Sequence, residues 1–117
     1  MEVSRGDLVT VALSGDYGKP RPALVIQADA FRTLNSVTVL RLTSELRDWP
    51  LFRITVEPTQ DNGLRQLSQV MVDKAATLPR EKIGRRIGRL DNGTMRQIDQ
   101  ALALFLGLTD ARYSAAS

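Results

Sequence analysis

At 117 residues and 13.0 kDa the chain has the length of one domain, and its 43% apolar and 25% charged residues are those of an ordinary globular protein. It contains no cysteine and no histidine, which excludes disulfide frameworks, zinc–cysteine sites, thiol catalysis, serine–histidine triads and zincin motifs. Sixteen basic residues against 13 acidic ones give a net charge of +3, and 13 of the 16 are arginines, whose planar fork pairs with phosphate in bidentate fashion.

In chain order, the opening Met1–Asp7 has no basic region followed by an apolar stretch, so no targeting signal is expected. Arg5-Gly6-Asp7 predicts a turn into a first strand, Leu8 to Leu13, with Val9, Val11 and Leu13 on one face. Residues 14–20, bracketed by Gly and Pro, read as a flexible loop. Ala23 to Ile26 is a short continuous apolar run, the pattern of a strand buried on both sides, and Ala28 to Thr33 allows one helical turn. A third strand is predicted over Val37–Leu42. Phe52 to Glu57 alternates, with Phe52, Ile54 and Val56 inward. Ser68 to Val72 is a further strand, with Asp73 to Pro79 leading out of it, and a last strand is expected within Ile83–Leu90. The period then changes: Met95, Ile98, Leu102 and Phe105 recur at helical spacing, Asp91 is the natural N-cap and Gly107 the stop. Ala101, Ala103 and Leu104 make this helix apolar on a second side, which predicts a partner subunit there. The longest apolar run, Ala101 to Leu108, is far short of the ~20 residues that span a bilayer. A cytoplasmic single domain over residues 1–110 is expected, with 111–117 as a flexible tail. Its strands should form a small, strongly bent antiparallel sheet or open barrel closed by the helix.

Without histidine or cysteine, any chemistry has to run on carboxylates, arginine, lysine, hydroxyls and backbone. In Lys19-Pro20-Arg21-Pro22 the prolines hold the two basic residues extended. Arg21 is then either a phosphate ligand on a stiffened backbone or a surface arginine paired with a carboxylate. Thr43 and Ser44, where the third strand ends, either donate to a phosphate oxygen or cap their own turn. Asp73 is a turn former or a functional carboxylate. Arg80, Lys82, Arg85, Arg86 and Arg89 form either a nucleic-acid patch or the solvated face of a hairpin. Trp49, the single tryptophan, reads as a shield for the edge of the core rather than a stacking platform.

Arg5-Gly6-Asp7-Leu8-Val9 followed by Pro20-Arg21-Pro22-Ala23-Leu24-Val25-Ile26 resembles the opening of the MazF/PemK family of toxin endoribonucleases. Thr43 after an apolar strand, Gln69-Val70-Met71-Val72-Asp73, Ile87-Gly88-Arg89-Leu90 and the terminal Leu106-Gly107-Leu108 follow in the family's order, so the resemblance covers residues 4–108. It implies a mainly β domain with a C-terminal α-helix, an SH3-like, CcdB/PemK-type bent antiparallel barrel. It also implies a homodimer and the toxin of a type II toxin–antitoxin system, whose cognate antitoxin normally occupies the RNA groove. The implied activity is cleavage of single-stranded RNA without metal or other cofactor. The RNA 2′-hydroxyl attacks, leaving 2′,3′-cyclic phosphate and 5′-hydroxyl ends.

By the same resemblance Arg21 and Thr43 are the active residues, and Asp73 matches an aspartate that some members use. Arginine is a poor general base. Asp73 is therefore the candidate base, with Asp16 and Asp7 behind it. Asp7, Asp16, Lys19, Ser44, Arg65, Gln69 and Lys74 are the expected RNA contacts. The chain departs from the family in lacking a first-loop histidine. It has Met71 where some members carry arginine, and Lys74-Ala75-Ala76 where many carry Gln-x-Arg, so Lys74 or Arg65 would substitute. Two other readings use the same features: a CcdB-like poison of DNA gyrase, and a non-catalytic nucleic-acid-binding module centred on residues 80–89.

Overall fold

The apolar runs of the first half form the middle of one antiparallel sheet. The computed structural model describes residues 2–12 and 19–109. Within them lie β1 (Asp7–Val11), β2 (Arg21–Val25), β3 (Ser36–Thr43), β4 (Arg53–Val56), β5 (Ser68–Pro79), β6 (Ile83–Arg89) and the helix α1 (Asn92–Phe105). The strands pair in the order β4-β5-β3-β2-β1-β6. The helical turn expected after β2 is a short 3-10 turn, Asp29–Phe31. Leu13, residues 14–18 and the tail 111–117 fall outside the described residues.

The central strands are buried on both faces. Leu8, Leu24, Leu40 and Leu42 pack with Val70 and Val72 against Met95, Ile98 and Ala101 of α1. The alternate residues Val9, Val11, Ala23, Val25, Val37 and Val39 form a second cluster with Val3 and Leu78. A sheet that buries both faces with a single helix available has to curl over itself.

The curl is made by β5. It does not end at Val72, as the sequence suggested, but runs on to Pro79. Lys74-Ala75-Ala76 carries little strand propensity, yet this half of β5 is held by the ladder to β3, from Leu40↔Ala75 to Ser36↔Pro79, and by a 2.7 Å hydroxyl pair between Thr38 and Thr77. The register then jumps to Leu42↔Val70, so that residues 71–74 bulge opposite Arg41 alone. A bulge of this size bends the strand and sharpens its twist. The lower half of β5 carries β4, from Arg53↔Met71 to Val56↔Ser68.

The two sheet edges meet through the segment after β4. Buried Asn62 organises it, accepting from the Thr59 and Leu64 N–H groups at 3.0 Å each and donating to the Glu57 carbonyl at 2.9 Å. Asp61 O then accepts from the Arg89 N–H at 2.9 Å, which fastens the segment to β6. The approach is close enough to need glycine. Gly63 has φ +69°, and a Cβ on it would run into the Ile87 carbonyl oxygen.

Helix α1 begins and ends where the sequence indicates. Asp91 accepts from the Thr94 N–H at 3.1 Å, and Thr94 holds its carboxyl below the usual aspartate range by donating through both hydroxyl and N–H. Gly107, at φ +74°, closes the helix with its N–H on Leu104 O (3.1 Å) while the Leu108 N–H reaches Ala103 O (2.8 Å). Among the described residues no helix is long and apolar enough to cross a membrane.

Candidate nucleic-acid interface

A cleft of about 460 Å³ opens where the ends of β1, β2 and β3 meet β6 and the segment 63–68. β2 contributes Arg21 and Pro22, which stand opposite Val11 and Thr10 of β1. Pro20 and Pro22 on either side fix the backbone of Arg21, so the guanidinium leaves a stiff base. β3 contributes Arg41 and Thr43, two residues apart and so on one face of the strand, followed by Ser44. The Thr43 hydroxyl oxygen accepts from the Glu45 N–H at 3.0 Å. It therefore caps its own turn, and its O–H proton is still available to a ligand in the cleft. The far wall holds Arg65 and Gln66 from the Asn62-organised segment and Arg85 from β6.

The charge of this surface is one-sided. Four guanidiniums line it, and none of its described lining residues is Asp or Glu. Like charges gathered around a concave, partly desolvated surface focus positive potential into it. The arrangement suits a polyanion.

Of the residues singled out in the sequence, Arg21, Thr43, Ser44 and Arg65 come together here. Asp7 does not. It is 4% exposed at the other end of β1, accepting from the Ser4 N–H (2.8 Å), Arg86 Nε (3.1 Å) and Arg89 Nη1 (2.9 Å). Burial pushes its pKa up, but the Ser4 N–H and the two arginines outweigh that and hold it below the usual aspartate range. Gln69 is buried behind the cleft. It accepts from the Arg47 N–H and donates to Arg47 O and Thr55 Oγ1, each at 3.0 or 3.1 Å, and so ties down the loop after β3. Asp73 sits in the β5 bulge, two residues beyond Met71, which lines the cleft. One carboxylate oxygen of Asp73 is buried without a hydrogen-bond partner among the described residues, and the other lies 3.8 Å from Lys74 Nζ. Lys19 and Lys74 are exposed beside, not among, the lining residues, and Asp16 lies outside the described residues.

The basic cluster of residues 80–89 does not act as one patch. Arg80 donates to the Arg32 and Leu34 carbonyls, and Arg86 and Arg89 hold Asp7; only Arg85 of the five reaches the cleft. Arg41 was not picked out from the sequence, and Arg85 only as one of the five basic residues of the 80–89 cluster. Arg41 had a signal, since strand alternation puts it on the face of Thr43. Arg85 had none apart from its neighbours. Trp49 is more open than a core shield: 44% exposed, it stacks on Phe52 at 5.5 Å, with the Arg53 guanidinium 5.0 Å from its ring centre.

Comparison with known proteins agrees with this architecture. Residues 4–106 match the family described as PemK-like, MazF-like toxin of type II toxin-antitoxin system. A probable endoribonuclease MazF of Mycolicibacterium smegmatis is 48% identical over 105 residues, covering 89% of this chain and 96% of that protein. Endoribonuclease EndoA of Bacillus subtilis is 26% identical over 115 residues, covering 94% and 99%. A mycobacterial endoribonuclease solved in complex with its cognate antitoxin superposes with a TM-score of 0.77 at 28% identity, covering 92% of this chain and 97% of that one.

Proposed function

Because this chain belongs to the PemK-like, MazF-like toxin family of type II toxin–antitoxin systems, we propose that it is an endoribonuclease toxin that cuts single-stranded RNA in the arginine-lined cleft. The observation that carries the reading is the meeting of Arg21 and Thr43, from different strands, in a cleft with no acidic lining residue among those described.

In the proposed reaction the RNA 2′-hydroxyl attacks the adjacent phosphorus. The bond to the 5′-oxygen of the next nucleotide breaks and that oxygen takes a proton from water, giving a 2′,3′-cyclic phosphate and a 5′-hydroxyl end. Charge gathers on the non-bridging phosphoryl oxygens as the bond to phosphorus forms. Arg21 is pre-positioned to neutralise that charge, and the Thr43 hydroxyl, its oxygen fixed by Glu45, donates to one of those oxygens. The proton of the 2′-hydroxyl needs an acceptor that arginine cannot be. Asp73 is our candidate, because it is a partly exposed carboxylate in the bulge, two residues beyond the cleft-lining Met71. Neither step calls on a cofactor.

We further propose a homodimer packed through α1 and a cognate antitoxin that competes with RNA for the cleft. The dimer is supported by apolar surface that the monomer leaves open. Leu51, Phe105, Leu106 and Leu108 are 53–77% exposed, and Leu104 borders a groove with Pro50, Leu51 and Ile54. The antitoxin is supported by the solved relative that carries one. We propose one domain over residues 1–110, working in the cytoplasm.

The decisive experiment incubates the purified chain with a long RNA in EDTA and maps new ends. Discrete new 5′-hydroxyl ends are expected. Intact RNA, or ends bearing a 5′-phosphate, would overturn the reading.

A further inference from the structure

Apart from Arg41, which has an interaction of its own, the described arginines fall into two groups. Arg5, Arg32 and Arg47 pair with carboxylates, Arg53 and Arg80 donate to neighbouring oxygens, and Arg86 and Arg89 share Asp7. Among the described residues Arg21, Arg65, Arg85 and Arg96 have no ion pair or side-chain hydrogen bond, and the first three of these all line the cleft. An unpartnered surface arginine is ordinary by itself. Three facing one concavity repel each other, and an arrangement of that kind is relieved by an anion with more than one charge.

Their places on the sheet separate them. Arg21 is on β2 and Arg85 on β6, with β1 between. At the usual strand spacing their backbones are about 10 Å apart. The base of Arg85 is fixed: its N–H donates to Thr10 Oγ1 at 3.0 Å, and the neighbouring Gly84 lies so close to the same hydroxyl that a Cβ would not fit. Such a backbone holds the start of the side chain without occupying its guanidinium.

We propose that Arg85, with Arg65 beside it on the far wall, forms a second phosphate subsite that grips a phosphate of the RNA backbone flanking the one cut between Arg21 and Thr43. This rests on the ribonuclease reading and adds to it. Arg85 is a positioning residue: it sets where the strand lies and takes no part in the bond changes.

The test measures cleavage kinetics and, separately, equilibrium binding of a 2′-O-methylated single-stranded oligonucleotide, which has no free 2′-hydroxyl to attack. Arg85→Gln should raise KM roughly tenfold, the loss of one charge-assisted contact, with kcat changed by less than about twofold. In the binding assay its log K against log salt slope should be shallower by about 0.7, the value for one phosphate contact to a single strand. Arg65→Gln should act in the same direction, and Arg96→Gln, on the exposed side of α1, should leave the slope unchanged. A slope and KM equal to wild type in Arg85→Gln would overturn the proposal. So would a fall in kcat like that of an Arg21 variant, which would put Arg85 at the scissile phosphate. Absence of cleavage by the wild type would sink the ribonuclease reading alone, since the binding slopes are read without it.

Discussion

Asp7 and Arg89 stand directly opposite each other in the β1–β6 pair, and the Arg89 guanidinium donates to Asp7 Oδ1 at 2.9 Å, the same oxygen that Arg86 reaches at 3.1 Å. A carboxylate near the start of the chain is thus clamped by two arginines of its last strand. Asp7→Asn should cost about 2 kcal/mol at neutral pH, the scale of a hydrogen bond to a charged group. The pKa of Asp7 is lower in the folded than in the unfolded chain, so its contribution is complete above about pH 4 and is lost as pH falls from there through the folded value. Urea melts of wild type and variant should therefore differ at pH 7 and converge in acid. An equal difference at every pH would assign the effect to packing.

Arg21→Ala should lower kcat/KM for RNA about a hundredfold or more, as expected for the loss of one preorganised donor. Its side chain is exposed and unpartnered, so the melting temperature should hardly move. A folded variant that cleaves normally would remove Arg21 from the reaction.

Asp73→Asn keeps the side-chain shape and removes the basic oxygen. Cleavage should drop by roughly two to four orders of magnitude, the usual worth of a positioned base. With no histidine in the chain, the wild-type pH–rate profile should lack an imidazole step near pH 6.5. Full activity in the folded variant would leave Asp73 as a bulge residue and move the search for the base to Asp16.

Gly63→Ala puts a Cβ against the Ile87 carbonyl at a φ of +69°. The cost should be roughly 2 kcal/mol or more, a fall in melting temperature on the order of 10 °C. The same change pushes out the wall that carries Arg65, so RNA binding should weaken even where the variant is folded. A variant as stable as wild type would show that the segment can leave β6 freely.

The proposed homodimer should have twice the 13.0 kDa chain mass in light scattering at micromolar concentration. Leu104→Glu, in the groove beside α1, should shift it toward monomer without unfolding it. A wild-type monomer under the same conditions would refute it.

The sheet was legible in its middle from apolar continuity at Ala23–Val25 and at its β4 edge from alternation at Ile54–Val56, because both patterns report burial directly. The cap at Asp91 and the stop at Gly107 are local chemistry and were equally readable. The second half of β5 was not, since Ala75 and Ala76 are strand residues only because β3 lies beside them. In the site, the Pro-Arg-Pro segment announced Arg21 by its own backbone stiffness. Arg85 could not be told from Arg86 or Arg89, because what separates them is a carboxylate 79 and 82 residues away in sequence. Gln69 misled for the same reason: an amide flanked by a buried strand can face a ligand or tie down a loop, and only the position of Arg47 decides.

The pairing of β1 with β6 also sets a timetable. Thr10 and Arg85 meet across 75 residues of chain, so the cleft is complete only when β1, from near the start, has paired with β6, from near the end. Contacts this distant in sequence are slow to form and cannot form at all until both partners exist. A chain still emerging from the ribosome therefore carries Arg21 and Thr43 without the wall opposite them. The newborn protein has no finished groove beside the messenger that encodes it, and the groove is completed only when synthesis is nearly over.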